Sequence, residues 1–256
     1  VNNSLIAADT ATYVGHATVL IEVEGMRLLT DPLLRRRLGP LVRHGPMPAP
    51  EVTADLDAVL VSHLHHDHAD LTSLRRLGAG TPMLVPSGSR RFFERHGFGA
   101  VTELAPGESH AVGQLEVVAT DAVHPGGRRR FARHAEAIGF LVRGSSRVYF
   151  AGDTAFFAGM GEIDPDLDLA LLPIWGWGPN VGEGHLDPAE AARAAAALSP
   201  RLAIPIHWGT FYPLGLDRLY PGPLREPDRE FAAHMRELAP HVETRVLSVG
   251  ESVSLA

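Results

Sequence analysis

Along this chain, short apolar runs rich in β-branched residues alternate with stretches whose apolar positions recur at helical spacing. The first kind predicts strands, at 58–62, 101–104, 115–119, Leu169–Pro173 and Leu202–Ile206. A loose alternation over 13–23, then 26–30 after Glu24-Gly25, predicts a β-hairpin that Asp31-Pro32 ends. Residues 138–142 and 148–151 predict a second hairpin around Gly144-Ser145-Ser146. The second kind predicts helices at Leu71–Leu77 and 226–238, with a short strand at 83–85 and a last strand at 244–247. Ser87 is the expected cap of a helix to about His96, stopped by Gly97 and Gly99. Asp187-Pro188-Ala189-Glu190 combines a cap, a proline at the first helical position and a reciprocating glutamate, which starts an alanine-rich helix to Leu198. Sets of strands followed by helices, with no fixed-period repeat, predict a mixed α and β fold.

Composition narrows the function. The 256 residues suit a single domain over 1–256, long enough for a substantial core. A formal net charge of −7 argues against a nucleic-acid partner. No apolar run approaches the ~18–20 residues of a membrane span. No export signal opens the chain, so a cytoplasmic location is expected, without integral membrane contact. Peripheral lipid contact stays compatible with the sequence. The chain has no cysteine, so any metal must be held by nitrogen and oxygen.

Such donors concentrate where the 58–62 strand ends, in His63-Leu64-His65-His66-Asp67-His68. Residues two apart in extended chain point the same way, so His63, His65 and Asp67 converge while His66 faces elsewhere. Three imidazoles and a carboxylate at this density suit Zn²⁺, with Mn²⁺ or Fe²⁺ as substitutes. An interior tract that follows a strand argues against a merely solvated histidine-rich loop. His124, just past the 115–119 strand, is the expected third nitrogen, with His134 as its competitor. Arg35, Arg36 and Arg37 read as a solvated face or as a cationic rim that gathers anions. Arg128, in Arg128-Arg129-Arg130, is suited to bidentate capture of phosphate or carboxylate, with plain surface arginine as the ordinary explanation. Trp175 and Trp177 stand in a glycine-rich loop that could wall a substrate pocket, and Trp208 follows the 202–206 strand. His185 stands just ahead of a helix N-terminus, a place that favours anions. His16 reads equally as a half-buried strand histidine and as part of the site.

The pattern His63-x-His65-x-Asp67-His68 resembles the signature of metallo-β-lactamase-fold hydrolases. The resemblance extends through Gly15-His16-Ala17-Thr18, Leu29-Thr30-Asp31-Pro32, Gly152-Asp153-Thr154 and Ile206-His207-Trp208-Gly209-Thr210. The set is most similar to the subgroup containing N-acyl-phosphatidylethanolamine phospholipase D and, more distantly, the L-ascorbate phosphate lactonases. It implies an α+β fold, a four-layer αββα sandwich with a metal site along one edge. It also implies a first metal on His63, His65 and His124, a second on Asp67, His68 and His207, and Asp153 shared. Two such ions make hydroxide available from a bridging water at neutral pH. The attack would fall on a small anionic ester, a phosphodiester first and a carboxylic ester or lactone next. Asp67 would orient the nucleophile or pass on its proton, with His185, or else His16, as the alternative proton donor. Histidine at position 65, where flavodiiron oxidoreductases of this fold typically carry glutamate, favours hydrolysis over redox chemistry. The alternative is a non-catalytic metal-dependent binding or sensor domain of the same fold. The full ligand set favours the enzyme.

Overall fold

Two mixed seven-stranded sheets face each other in the computed structural model, which describes residues 8–125, 135–175 and 182–255. The first runs Ser252–Ser254, Thr10–Gly15, Thr18–Val23, Met26–Thr30, Ala58–Leu60, Met83–Pro86 and Val101–Leu104 from edge to edge. The second runs Glu243–Thr244, Leu202–Ile206, Leu169–Pro173, Arg147–Phe150, Ile138–Arg143, Leu115–Asp121 and Ser109–Val112.

The period of two along each strand decides what fills the space between the sheets. Val19, Ile21 and Val23 of the first sheet meet Leu115, Val117 and Ala119 of the second in one buried cluster. The strands at the parallel end of the second sheet are buried on both faces, which is why they read as unbroken apolar runs. In Leu169–Pro173, Leu169 and Leu171 enter the central cluster, while Ala170 and Leu172 join the cluster under the outer helices. Those helices, Pro188–Leu198 and Pro227–Leu238, contribute Ala191, Ala195, Phe231 and Met235. Helices Leu71–Leu77 and Arg90–Arg95 cover the opposite face through Leu74 and Phe93. The layers are therefore α, β, β and α, the α+β sandwich that the resemblance implies.

Local signals explain most boundaries. Asp187 accepts from Glu190 N at 2.8 Å while Glu190 accepts from Asp187 N at 3.3 Å, the reciprocal cap at the start of Pro188–Leu198. Asp70 caps Leu71–Leu77 by accepting from Ser73 N at 2.9 Å.

Four expectations change. The 13–23 run is two strands, because Gly15 at φ 112° and His16 at φ 59° turn the chain between them. A Cβ on Gly15 would sit 2.8 Å from Thr210 Cγ2, so glycine lets this turn press against the distant Thr210 segment. The helix cap is Ser89, not Ser87, since Ser87 N still bonds Leu104 O at 3.0 Å and prolongs the ladder. The 244–247 strand shrinks to Glu243–Thr244, and Ser252–Ser254 instead pairs with Thr10–Gly15. The run from Pro40 to Pro50, whose prolines predict a loop, instead contributes Leu41–Arg43, which pairs with Arg37–Leu38 and with Phe211–Pro213 in a small third sheet. Arg43 fastens that sheet down by donating to Val14 O and Leu33 O, with its guanidinium 4.9 Å from the Phe211 ring centre. Among the described residues no helix is long and apolar enough to cross a membrane.

Candidate metal centre

Strand ends from both sheets deliver the donors. The chain leaving Ala58–Leu60 turns through Ser62 into the histidine tract, where His63, Asp67 and His68 are buried, His65 is half-buried and His66 is exposed. Leu115–Asp121 is followed by His124, Arg147–Phe150 by buried Asp153, and Leu202–Ile206 by buried His207. Gly152, at φ 61°, lets Asp153 approach, since a Cβ there would lie 2.7 Å from Ser62 Cβ.

The donors form two groups. In the outer one, His65 Nδ1 stands 3.0 Å from His63 Nε2 and 3.1 Å from His124 Nε2. In the inner one, His68 Nε2 and His207 Nε2 are 3.2 Å apart, with Asp67 Oδ2 at 3.4 and 3.5 Å from them. Asp153 lies between the groups. Its Oδ2 is 3.1 Å from His68 Nε2 and 3.9 Å from His63 Nε2. Its buried Oδ1 lies 3.4 Å from His207 Nε2 without a hydrogen bond among the described residues.

The far nitrogens fix the tautomers. His124 Nδ1 donates to Gly184 O and His207 Nδ1 to Trp175 O, both at 2.7 Å. His68 Nδ1 donates to Asp31 Oδ2 at 2.6 Å. His63 Nδ1 donates to Ser62 Oγ at 2.9 Å, because that hydroxyl spends its own proton on Asp31 Oδ2 at 2.5 Å. A carbonyl or carboxylate only accepts, so these four nitrogens hold the protons and leave the Nε2 lone pairs facing inward. Outer-nitrogen anchoring of this kind is how metal-ligating histidines are oriented.

The inward-facing atoms then lack positive charge. One proton on His65 Nδ1 would serve at most one of its two neighbours. With both Nδ1 protons outward, the His68 and His207 Nε2 atoms face each other with none between them unless a cation or a second proton on His68 intervenes. A tetrahedral ion with bonds of about 2.0–2.1 Å separates its nitrogens by about 3.3–3.4 Å, close to the spacings found. The residues therefore fit a metal ion.

The electrostatics agree. Burial pushes His63 well below the ordinary histidine value, His65 below it, His124 down to about 4 and His16 down to about 3. Burial opposes charge on His68 too, yet Asp153, Asp67 and Asp31 outweigh it and hold His68 well above the usual range. Burial likewise works against the carboxylates of Asp67 and Asp153, but neighbouring histidines keep both well below the usual range. Ionised carboxylates around neutral imidazoles call for a cation, and a proton on His68 takes that place when none is bound.

The remaining site residues fall around this centre. His16 occupies the turn, with Nε2 3.1 Å from Asp67 Oδ2 and its ring 4.0 Å from that of His207. His185, half-buried, places Nε2 3.5 Å from Asp153 Oδ2. Burial lowers its affinity for a proton, but Asp153 more than offsets that and raises it. Trp175 serves through its carbonyl, while its indole packs 6.0 Å from the Tyr212 ring. Trp208 is half-buried and packs against the helix-covered face of the second sheet. Arg128, Trp177 and His134 lie outside the described residues. Asp31 is the residue that sequence reasoning passed over. It marks the end of a strand and belongs to a motif of the resemblance, yet the sequence assigns it no role in the site. It is fully buried and also accepts from Ser62 N at 2.7 Å.

A sandwich of this kind, with histidine and aspartate donors gathered where its strands end, is a metal-dependent hydrolase of the metallo-β-lactamase fold. Residues 26–208 match the family described as β-lactamase superfamily domain. The chain is 34% identical over 236 residues to N-acyl-phosphatidylethanolamine-hydrolyzing phospholipase D 1 of Caenorhabditis elegans, covering 82% of this chain and 66% of that protein. It thus spans just under two thirds of that relative's length. It is 33% identical to a UPF0173 metal-dependent hydrolase of Rubrobacter xylanophilus, covering 97% of this chain and 98% of the relative. The solved structure of Igni18, a metallo hydrolase from the archaeon Ignicoccus hospitalis, is 25% identical with a TM-score of 0.72, covering 96% of this chain and 98% of that one. The chain belongs to the β-lactamase superfamily.

Proposed function

We propose that this chain is a dinuclear metal hydrolase, with zinc as its first candidate ion, acting on a small anionic ester. A phosphodiester is the first choice of substrate and a carboxylic ester or lactone the next. The observation that carries this reading is the Asp153 carboxylate lying between two separate groups of inward-facing nitrogens. His63, His65 and His124 would hold one ion, Asp67, His68 and His207 the other, and Asp153 both. Donors of imidazole and carboxylate suit zinc, and also Mn²⁺ or Fe²⁺.

Bound there, such ions supply hydroxide at neutral pH and draw off the charge that builds on the ester oxygens. The protein's own groups do the rest. His16 Nε2, at 3.1 Å, holds the Asp67 carboxylate in place. Asp67, kept ionised by its neighbouring histidines, would accept a hydrogen bond from the attacking hydroxide and so orient it toward the ester. His185 reaches Asp153 from the half-buried side and sits just ahead of the eleven-residue helix Pro188–Leu198. It can meet an anionic group and hand a proton to the leaving oxygen. Likeness to a phospholipase D supports a phosphodiester over the other esters.

The test is turnover of bis-p-nitrophenyl phosphate, a lactone panel and thioesters by the metal-replete protein. The phosphodiester is expected to turn over best. Asp67→Ala is expected to lower kcat by about 10²–10⁴-fold. Activity unchanged in that variant rejects the mechanism, and turnover confined to lactones replaces the substrate class.

A further inference from the structure

A cleft of about 650 Å³ opens from the Asp67 edge of the centre, a size suited to a small molecule. One wall is the helix Leu71–Leu77 and the other the tip between Arg37–Leu38 and Leu41–Arg43. Along the helix wall the order is Asp67, Leu71, Arg75. Leu71 and Arg75 are four apart and share a helix face, about 6 Å from one another along the axis. Across from them stand Leu38, Pro40 and Leu41. Asp67 and the exposed His66 precede the helix at the centre's side, Leu71 opens it, and Arg75 stands one turn further from them.

The charges in this cleft are not equivalent. Arg35 is a strut: Nη1 donates to Asp70 Oδ1 and Thr72 Oγ1, both at 3.0 Å, and Nε donates to Arg37 O at 2.5 Å. Asp70 is thereby neutralised, its other oxygen accepting from Ser73 N and Oγ. Arg75 is exposed, and its guanidinium has no ion pair or hydrogen bond among the described residues. It is the cation left to meet a ligand.

Resting on the hydrolase reading above, we infer that this cleft selects substrates in which an apolar segment separates the scissile ester from a second, terminal anion, and that Arg75 reads that anion. The apolar segment lies between Leu71 and the Leu38–Leu41 tip. Arg35 keeps the two walls at their spacing.

Binding tests this without turnover. Octylphosphonate and 8-phosphonooctanoate carry the same anchor for the centre and differ only in the terminal carboxylate. Calorimetric titration of the zinc-loaded protein is expected to show 8-phosphonooctanoate binding about fivefold more tightly, the upper end for an exposed ion pair. Arg75→Gln is expected to bring the ratio to about one, and Arg75→Glu to reverse it. Thermal melts confirm that these surface variants fold. Equal binding of both probes by the unaltered protein, or a ratio unmoved by either substitution, overturns the inference and leaves the hydrolase reading standing. Failure of both probes to bind, or binding that does not need the metal, overturns both.

Discussion

The two donor groups differ in what surrounds them. The inner group is sealed: Asp67, His68, His207 and His16 are all buried, and Asp31 backs His68. The outer group is made of imidazoles alone, and two of the three, His65 and His124, are half-exposed. More negative charge and less water make the inner position the stronger trap for a cation. The outer position gives up affinity and leaves His65 and His124 open to water, while the inner one meets solvent only at the Asp67 edge, where the cleft begins.

The largest effect is expected where the two groups meet. Asp153→Ala removes the carboxylate between them and is expected to lower activity by at least about a thousandfold, with bound metal falling below one equivalent. Elemental analysis beside a turnover assay checks it, and retention of both ions breaks the comparison at its centre. Next come single-group losses. His124→Ala is expected to leave about one equivalent of metal, held by the inner group. His207→Ala is expected to leave less, because the outer group holds its ion more weakly. Equal residual metal in the two variants would erase the asymmetry.

A smaller effect is expected from the residue behind the inner group. Asp31→Asn loses the carboxylate that holds His68 in its tautomer and is expected to weaken metal binding by about 10–100-fold. Competition against a chelator measures it. An unchanged affinity would show that the anchoring of His68 is dispensable.

The smallest effect is one of pH on the metal-free protein. In the unfolded chain these histidines titrate near 6.5, but in the fold burial lowers His16 to about 3 and His124 to about 4. Below 6.5 the unfolded chain takes up protons that the fold refuses, so stability falls as pH drops toward 4. His68 and His185 act in the opposite window. Their raised values give a contribution that is complete below 6.5 and lost as pH climbs through them. Taken together, these four histidines favour the metal-free fold most near 6.5, the ordinary histidine value, and less on either side of it. Metal, which competes with protons for the same nitrogens, is expected to move that maximum upward. Thermal melts across pH with and without metal check both statements, and a melt indifferent to metal contradicts the second.

How much of this was legible in the sequence follows from the range of each interaction. His63, His65, Asp67 and His68 share one short segment, so their density was plain. The period of a strand does not carry through it, however: residues 65–69 turn, with Ala69 N bonding His65 O at 2.9 Å, and Asp67 joins the inner group. The helix after Asp187 announced itself through four adjacent residues. Asp31 did not, because its partners Ser62 and His68 lie 31 and 37 residues away. Beside a proline it looked like the end of a strand, and the motif it belongs to says nothing of which side chains it would hold. The turn at Gly15-His16 was hidden for the same reason: the segment that presses on it, around Thr210, is almost two hundred residues on. The edge strand Ser252–Ser254 pairs with residues near the other end of the described chain, a register that no local pattern carries. Charge in the cleft was half legible. The Arg35–Arg37 run could be noticed, but only the fold separates Arg35, spent on Asp70, from Arg75.

Anomalous diffraction from zinc-loaded crystals measures the central claim most directly. The account predicts two peaks about 3.5–4 Å apart, one against His63, His65 and His124, the other against Asp67, His68 and His207, with the Asp153 carboxylate reaching both. A single peak in fully loaded protein, or a second one away from Asp153, would contradict it.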